Sequence, residues 1–401
     1  MRKDTTGEAD VIRLRQDISS LLRRRVLEAV ESVLEEELSE ALGTGRYERS
    51  EERRGYRNGH ETRRITTELG PQTLEVPRGR IVEDDGRARE FQSRVVPRYA
   101  RRTRKVDEAI LGAYLAGANT RRIRKALEPL LGSEHLSKSA VSRVAARLKV
   151  QFAEWSERDL SEERYAILFL DGFHLKVRMA RRVVSVPVLA ALGVAPDGTK
   201  RLVALELAVS EAEASWSRLV SDLKRRGFAS PVLIVSDGHR GLAKAIEAWP
   251  QAQVQRCTVH KWQNLVKHCP AHAHRELKRD YDRIVYAKSG LAAREAYQAF
   301  VAKWRKLCPA VAKSLEEAGE QLLTFYAFPK AMWKALRTTN SIENLNREFR
   351  RRTKTQASFS TEEAAVTLLY GLVAFGQILL RRIDGHGHVS ALLEPHKEIA
   401  A

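Results

Sequence analysis

The chain has 401 residues, enough for two or three domains with a substantial apolar core. Lysine and arginine number 70 against 51 acidic residues, which gives a net charge of +19 and a pI near 10.0. This excess favours nucleic acid over a membrane as partner, because no apolar run reaches the roughly 20 residues that a spanning helix needs. Three cysteines are too few for a disulfide framework, and the polar start lacks a signal-peptide apolar region, so a reduced, cytoplasmic setting is expected.

Residues 1–100 predict a long helix followed by a basic hairpin. Apolar residues recur every three to five positions over 10–42, as in an amphipathic helix. The apolar face of this helix could pack in its own core or pair with a second chain, and the pattern leaves both open. Residues 46–100 are rich in arginine, with a turn-rich segment at 55–60 and a hairpin from Arg63 to Val76. With so basic a chain, these arginines favour DNA contact over a merely solvated face.

Residues 101–160 have the pattern of a helix-turn-helix domain. The expected helices have inward apolar faces and break near Gly117 and Gly132, with Asn119 or Thr120 and then Ser137 as caps. A recognition helix needs an apolar face that packs against the rest of the domain. Its basic residues on the other side can then contact DNA. Many helix pairs meet these terms without binding DNA, but the basic clusters favour binding. The candidate DNA contacts here are Arg121, Arg122, Lys138 and Arg143.

Residues 161–256 change to strand periodicity. Three strands, at about 165–178, 183–194 and 202–209, precede an alternation of helix, strand, helix and short strand. This order predicts an α/β fold whose mixed sheet starts with an antiparallel meander. Residues 257–336 are wholly helical and read as an inserted domain. Residues 337–401 return to the sheet through a helix that starts near Asn340 and another at about 361–381.

Three acidic residues are the candidate catalytic groups. Asp171 and Asp237 each follow an apolar strand and precede a glycine, and Glu343 lies near a helix start. Each has a simpler explanation alone, since Asp-Gly is a common turn pair and the segment from Asn340 to Glu343 resembles a capping box. Together they suit phosphodiester chemistry with two Mg²⁺ ions, with Asp171 bridging both and the other two acids each holding one.

These residues resemble bacterial insertion-sequence transposases of the Mutator-like superfamily, which belong to the DDE, RNase H-like group. The matching blocks are 170–178, 236–242 with 257–260, and 338–343 with its arginine tail. The resemblance covers about 100–380 well and the first hundred residues loosely. It implies a triad of Asp171, Asp237 and Glu343 on an RNase H-like sheet with an all-α insertion. It also implies Mg²⁺, with Mn²⁺ able to substitute, and cleavage at terminal inverted repeats followed by strand transfer. A homodimer or higher oligomer on DNA, in the cytoplasm near the bacterial nucleoid, is implied as well.

Two further motifs lie near these blocks. Cys257 and His260, with Cys269 and His272, have ligand types and spacing suited to zinc. The resemblance makes the first pair local structure beside the site, so zinc is not expected as a cofactor. Four arginines after Glu343 are expected to follow DNA phosphates rather than form only a solvated face. They are Arg347, Arg350, Arg351 and Arg352.

Two other functions remain open for this sequence. A DNA-binding regulator would bind inverted repeats and leave them uncut, with the sheet domain as a scaffold. An RNase H-like nuclease would cut without joining strands. The repeat sequence, the target preference and the form of the excised intermediate do not follow from the residues.

Overall fold

A computed structural model gives the fold in two compact units, Met1–Ala145 and Ala146–Ala401. It describes residues 5–394 other than 49, 52, 84, 117, 119, 132–137, 180, 181, 209, 355–358 and 360. The side chains of 5–17, 19, 120, 121, 129–131, 138–141, 178 and 179 also lie outside the description. Among the described helices, none combines the length and apolar character needed to cross a bilayer.

The first unit starts with one long helix on a small sheet. Helix α1 (Thr5–Leu42) lies against the hairpin of β1 (Gly55–Thr67) and β2 (Gly70–Val82), and β3 (Ala88–Glu90) pairs with β2. The helix and hairpin predictions are therefore confirmed, but the hairpin is longer than predicted. The segment 55–60 belongs to β1, because its polar residues pair with β2 despite the lack of apolar alternation. The pairing of β1 with β2 shifts register between Arg57 and His60, where Gly59 has φ +74°. This irregularity within the strand explains why the segment contains residues typical of a turn.

Three helices follow the sheet. They are α2 (Arg104–Leu115), α3 (Thr120–Leu131) and α4 (Lys138–Glu157). Val106, Ile110, Ile123 and Val144 form their buried core, as the apolar spacing predicted. The predicted break and cap residues Gly117, Asn119, Gly132 and Ser137 lie outside the described residues.

The second unit contains a five-stranded sheet of order β6-β5-β4-β7-β8. Its strands are β4 (Ile167–Met179), β5 (Arg182–Val194), β6 (Lys200–Leu207), β7 (Leu233–Ser236) and β8 (Gln253–Arg256). Strands β4, β5 and β6 pair in antiparallel order, and β7 and β8 run parallel to β4. This confirms the predicted mixed sheet. Helices α5 (Glu213–Arg225) and α6 (Arg240–Ala245) cover one face, where Trp216, Leu219 and Leu242 pack on Leu168 and Leu170.

Residues 258–336 contain helices and no strand, as predicted. Their helices are α7 (Thr258–Lys267), α8 (His274–Val285), α9 (Gly290–Leu307), α10 (Pro309–Ala318) and α11 (Trp333–Leu336), with short 3-10 turns between them. Leu277, Ile284, Phe300, Trp304 and Leu315 belong to a core of their own. Helix α12 (Asn340–Thr353) then returns the chain to β4, and α13 (Glu362–Ala374) follows.

Candidate active site

Asp171 lies on β4, and Asp237 directly after the neighbouring parallel strand β7. The register pairs Phe169 of β4 with Val235 of β7, so two residues further along each strand bring Asp171 beside Asp237 on one face. Asp237 directly follows β7, as predicted. Asp171 lies in the middle of β4, after the continuously apolar first part of the predicted strand. The strand continues to Met179 because its inward residues remain apolar beyond the carboxylate.

The loop that carries Asp237 is held by a tight turn. The backbone N–H of His239 donates to Oδ1 of Asp237 at 2.8 Å. Gly238 has φ +79°, and a Cβ there would lie 1.7 Å from Nε of Arg256. Only glycine permits both this conformation and the close approach of the guanidinium. Arg256 at the end of β8 therefore lies directly under the loop of the candidate catalytic aspartate.

Glu317 of the helical segment fixes Arg256 in turn. Its carboxylate accepts two hydrogen bonds from Arg256, at 3.0 and 3.2 Å, and one from the buried Lys261 at 2.7 Å. Burial raises the pKa of Glu317, but the hydrogen bonds from these two cations outweigh it and hold that pKa at about 2. Helix α10 thus contributes to the position of the Asp237 loop through Arg256.

Glu343 lies one turn into α12, and the capping box that was the alternative explanation for it does not form. Thr339 occupies the N-cap position, and its side chain makes no capping hydrogen bond. Its hydroxyl instead donates to Oε1 of Glu343, four residues later. The Glu343 carboxylate is therefore held near the start of the helix by Thr339 and does not cap the backbone N–H groups of the helix.

Asn346, one further turn along α12, joins this helix to β4. Its buried amide Nδ2 donates to Oδ2 of Asp171 at 2.8 Å. Burial first, then the charges of Asp237 and Glu343, raise the pKa of Asp171 to about 7, and the Asn346 hydrogen bond and the nearby His260 offset this only in part. The three predicted acids are thus close enough to repel one another. A site with that excess of negative charge suits a bound cation.

Cys257 and His260 both contact Thr339, the residue that holds Glu343. The buried Sγ of Cys257 lies 3.2 Å from Oγ1 of Thr339, and Nδ1 of His260 lies 3.4 Å from the same oxygen. Nδ1 of His260 is also 3.8 Å from Oε1 of Glu343. A hydrogen bond with Cys257 raises the pKa of His260 to about 9 despite burial, and the acids of the site add to the rise. At neutral pH His260 is therefore a cation beside Glu343.

The Cys257–His260 pair also has metal-ligand geometry. One ligand atom each from Cys257, His260 and Glu343 lie within 4.8 Å of one another. Burial raises the pKa of the Cys257 thiol, but hydrogen bonds with His260 and Thr339 outweigh it and leave that pKa below its usual value. Cys269 and His272 do not join this group among the described residues. The sulfur donor distinguishes the group from the all-oxygen set of the three acids.

The arginines after Glu343 lie on different sides of α12. At 3.6 residues per turn, Arg347, Arg350 and Lys354 fall within roughly 40° of Glu343, and all three are exposed. Arg350 also lies over the ring of Phe173, 5.7 Å from its centre.

The other two arginines of the predicted set contact other residues of the protein. Arg351 forms an ion pair with Glu348 at 2.6 Å. Arg352 is half-buried and donates to the carbonyl oxygen of Gln377 at 2.7 Å.

The predicted DNA contacts of the first unit lie on α3 and α4. Arg122 and Arg143 are exposed on these helices. Arg121 and Lys138 belong to the same helices, and their side chains lie outside the described residues. The exposed pair is therefore accessible to a polyanion.

Four site residues were missed by the sequence reasoning. Asn346 and Thr339 lie three residues after and four before Glu343, the spacing of one helix face, and this signal could have found them. The Asp-Gly pair at Gly238 was recognised in the sequence, but the close approach of Arg256 to it was not. Glu317 could not be found, because its role depends on the fold of the helical segment.

A family model described as "Transposase, Mutator family" matches residues 2–376. The chain belongs to the Mutator family of transposases. Its relatives include the transposase for insertion sequence element ISRM5 of Rhizobium meliloti (strain 1021), which is 36% identical over 358 residues, or 88% of this chain and 86% of that protein. The transposase for element IS905 of Lactococcus lactis subsp. lactis (strain IL1403) is 34% identical over 367 residues, or 91% of each chain. The transposase for element IS406 of Burkholderia multivorans (strain ATCC 17616 / 249) is 36% identical over 341 residues, or 84% of this chain and 86% of that protein.

Proposed function

We propose that this transposase cuts DNA at the ends of a mobile element and joins those ends to target DNA with a DDE triad of Asp171, Asp237 and Glu343. The observation that carries the proposal is the convergence of the three acids: the register of β4 and β7 brings Asp171 beside Asp237, and α12, which contains Glu343, is joined to Asp171 by the hydrogen bond from Asn346. The raised pKa of Asp171 agrees with this arrangement. An ordinary structural aspartate is paired with a cation, whereas Asp171 has two acids close by, whose effect the His260 cation offsets only in part.

The donor set of the triad fits Mg²⁺. All of its ligand atoms are carboxylate oxygens, which Mg²⁺ and Mn²⁺ prefer, and the triad leaves room in the ligand count for water and phosphate. Asp171, Asp237 and Glu343 would hold two ions. When bound, they supply the charge that activates an attacking hydroxyl and stabilises the leaving oxygen of a phosphodiester.

The protein's own groups orient the triad. Asn346 fixes one oxygen of Asp171 by donating a hydrogen bond. Thr339 fixes one oxygen of Glu343, and Nδ1 of the cationic His260 lies 3.8 Å from the same oxygen. We assign Cys257 to the support of Thr339 and His260, and not to a zinc site.

The strand order supports an RNase H-like catalytic core. Three antiparallel strands followed by two parallel ones place Asp171 on the central strand and Asp237 on its neighbour. The helical segment 258–336 then separates Asp237 from Glu343 in sequence, and α12 returns Glu343 to the same face. This is the arrangement expected of a DDE enzyme with an all-α insertion.

DNA is the proposed partner of two regions. Arg347, Arg350 and Lys354 extend from Glu343 along one side of α12, where they can follow the phosphates next to the cut bond. Arg351 and Arg352 contribute mainly within the protein. Helices α2 to α4 are proposed to bind terminal inverted repeats as a helix-turn-helix domain, with Arg122 and Arg143 as contacts.

A plasmid assay tests this function. Purified protein, Mg²⁺ and a plasmid bearing the element's ends should give cleaved and strand-transfer products. Asp171→Asn and Asp237→Asn should lose both products, whereas Asp384→Asn, which alters an exposed acid of the same unit, should keep them. Binding without cleavage by the unaltered protein would support a regulator instead. Cleavage without joined products would support a nuclease.

A further inference from the structure

Tyr286 is an exposed aromatic residue of the helical segment. It follows α8 directly and is 60% exposed. Its backbone N–H donates to the carbonyl oxygen of Asp282 at 2.9 Å, which fixes it to the end of the helix. Within α8, the hydroxyl of the buried Tyr281 donates to the carbonyl oxygen of Thr258 at 2.7 Å, which joins this helix to the start of α7. The Tyr286 ring therefore faces solvent from an anchored position.

Arg337 brings this ring next to the candidate active site. Its guanidinium lies over the Tyr286 ring, 4.5 Å from the ring centre, and forms no ion pair with a described acid. Its carbonyl oxygen accepts hydrogen bonds from the N–H and the hydroxyl of Thr258, at 2.9 and 3.0 Å. Thr339, which holds Glu343, comes two residues later, so its Cα lies within roughly 8 Å of the Cα of Arg337. The ring and its cation are thus neighbours of the third acid.

A row of cations leads along α8 towards Tyr286. Arg275, Arg279 and Arg283 follow one another every four residues and are all exposed. Arg283 pairs with Asp280 at 3.5 Å, whereas Arg275 and Arg279 pair with no described acid. The distance from Arg275 to Tyr286 along the helix is about 17 Å. An open groove of about 580 Å³ is lined by the three arginines together with Lys278 and Asp282.

We propose that Tyr286 stacks on an unpaired base of the DNA next to the cut, and that the row on α8 binds the phosphates beyond that base. This inference rests on the proposed function and names the part of the substrate that the surface holds. An aromatic ring among cations suits single-stranded DNA, because every base has a face that can stack and every nucleotide has a phosphate. Lys278, 6.0 Å from the ring centre, adds a second cation beside the ring. A duplex would use only the cations, because its bases already stack on one another.

The position of Arg337 agrees with a strand that passes the triad. Arg337 precedes α12, whereas Arg350 lies about 10 Å further along this helix than Glu343. A DNA strand that contacts both arginines therefore passes Glu343 between them. The α12 arginines would hold the strand on one side of the cut, and Tyr286 with α8 would hold it on the other.

DNA binding in a metal chelator tests the stacking apart from catalysis. Full-length protein is titrated with two forms of the element's end, one fully paired and one with unpaired bases next to the cut position. The unaltered protein should bind the unpaired form more tightly. Tyr286→Ala should weaken that binding about tenfold, the loss of one stacked base, and leave the paired form unchanged. Tyr286→Phe should keep the tight binding, because phenylalanine can still stack.

Tyr99→Ala is the matched control. Tyr99 is 87% exposed and has the guanidinium of Arg98 over its ring at 5.9 Å, but it belongs to the first unit. Its replacement should leave the ratio of the two dissociation constants unchanged. Arg279→Gln should instead weaken binding of both forms and lower its salt dependence, as expected for a phosphate contact.

Photo-cross-linking identifies the contact in the unaltered protein. Iodouracil at the unpaired position should cross-link to Tyr286, as mapped by mass spectrometry. Cross-links that all lie elsewhere would refute the proposal. So would a folded Tyr286→Ala protein that binds both forms normally or loses both equally. The plasmid assay can fail without changing these dissociation constants, so a failure of the proposed function is seen separately.

Discussion

Replacing Asp171 with asparagine should stabilise the metal-free protein while it removes activity. The pKa of Asp171 is about 7 instead of 3.8, because burial and two neighbouring acids disfavour its charge. At about 1.36 kcal/mol per pKa unit, this sets an upper limit near 4 kcal/mol on the folding penalty above pH 7. Relaxation and water entry should leave about 2 kcal/mol, which raises the melting temperature by roughly 4–8 °C. Asparagine avoids the penalty and still accepts the hydrogen bond from Asn346.

The pH dependence has a definite sign. The folded state holds the Asp171 proton more tightly than the unfolded state, so the penalty is absent below about pH 4 and grows until about pH 7. At about pH 8 the Asp171→Asn variant should therefore have a higher melting temperature than the unaltered protein. This difference in melting temperature should shrink towards pH 5. Thermal unfolding in a metal chelator measures it, with Asp384→Asn as the control. Equal melting temperatures at about pH 8 would refute the electrostatic reasoning.

Three further predictions concern the groups around the triad. Thr339→Val removes the hydroxyl that holds Glu343 and should slow strand transfer about tenfold, while Thr339→Ser should restore most of the rate; an unimpaired valine variant would show that the hydrogen bond is dispensable. Gly238→Ala should lower the free energy of unfolding by about 2 kcal/mol or more, since the new methyl meets Arg256 at a positive φ; urea unfolding measures this, and an unchanged midpoint would contradict the geometry. Elemental analysis of protein purified without chelators should find less than one zinc per chain, and stoichiometric zinc would instead make Cys257 a ligand.

The chain order of the sheet strands and of the helical segment followed from apolar periodicity. Segments such as 232–235 are continuously apolar, as in a buried strand, and the helical segment repeats apolar residues at helical spacing, so local pattern and tertiary fold agree. Segment 55–60 was missed as a strand because it contains two glycines and lacks an alternation of apolar and polar residues. The Asp-Gly pair at Asp171 is typical of turns and could have been only a turn, but pairing with β5 continues unbroken past it. Tertiary pairing overrode the local signal in both places.

The three acids could be found from the sequence, but their environment could not. Strand ends and a helix start indicated where Asp237 and Glu343 would lie. The raised pKa of Asp171 depends on burial and on distances between elements far apart in the chain. The Thr339 hydrogen bond had a sequence signal in its helical spacing, yet the capping box was an equally local alternative. Only the three-dimensional arrangement decided between the two.

Strand transfer by Glu343→Gln is the most direct measurement of the central proposal. Glutamine keeps the size of the side chain and can still accept the Thr339 hydrogen bond, so α12 should remain intact. It removes only the charge that the third member of the triad needs to hold a metal ion. With Mg²⁺ and a plasmid bearing the element's ends, the unaltered protein should give joined products and Glu343→Gln should give none. Joined products from a folded Glu343→Gln protein at the normal rate would contradict the catalytic triad.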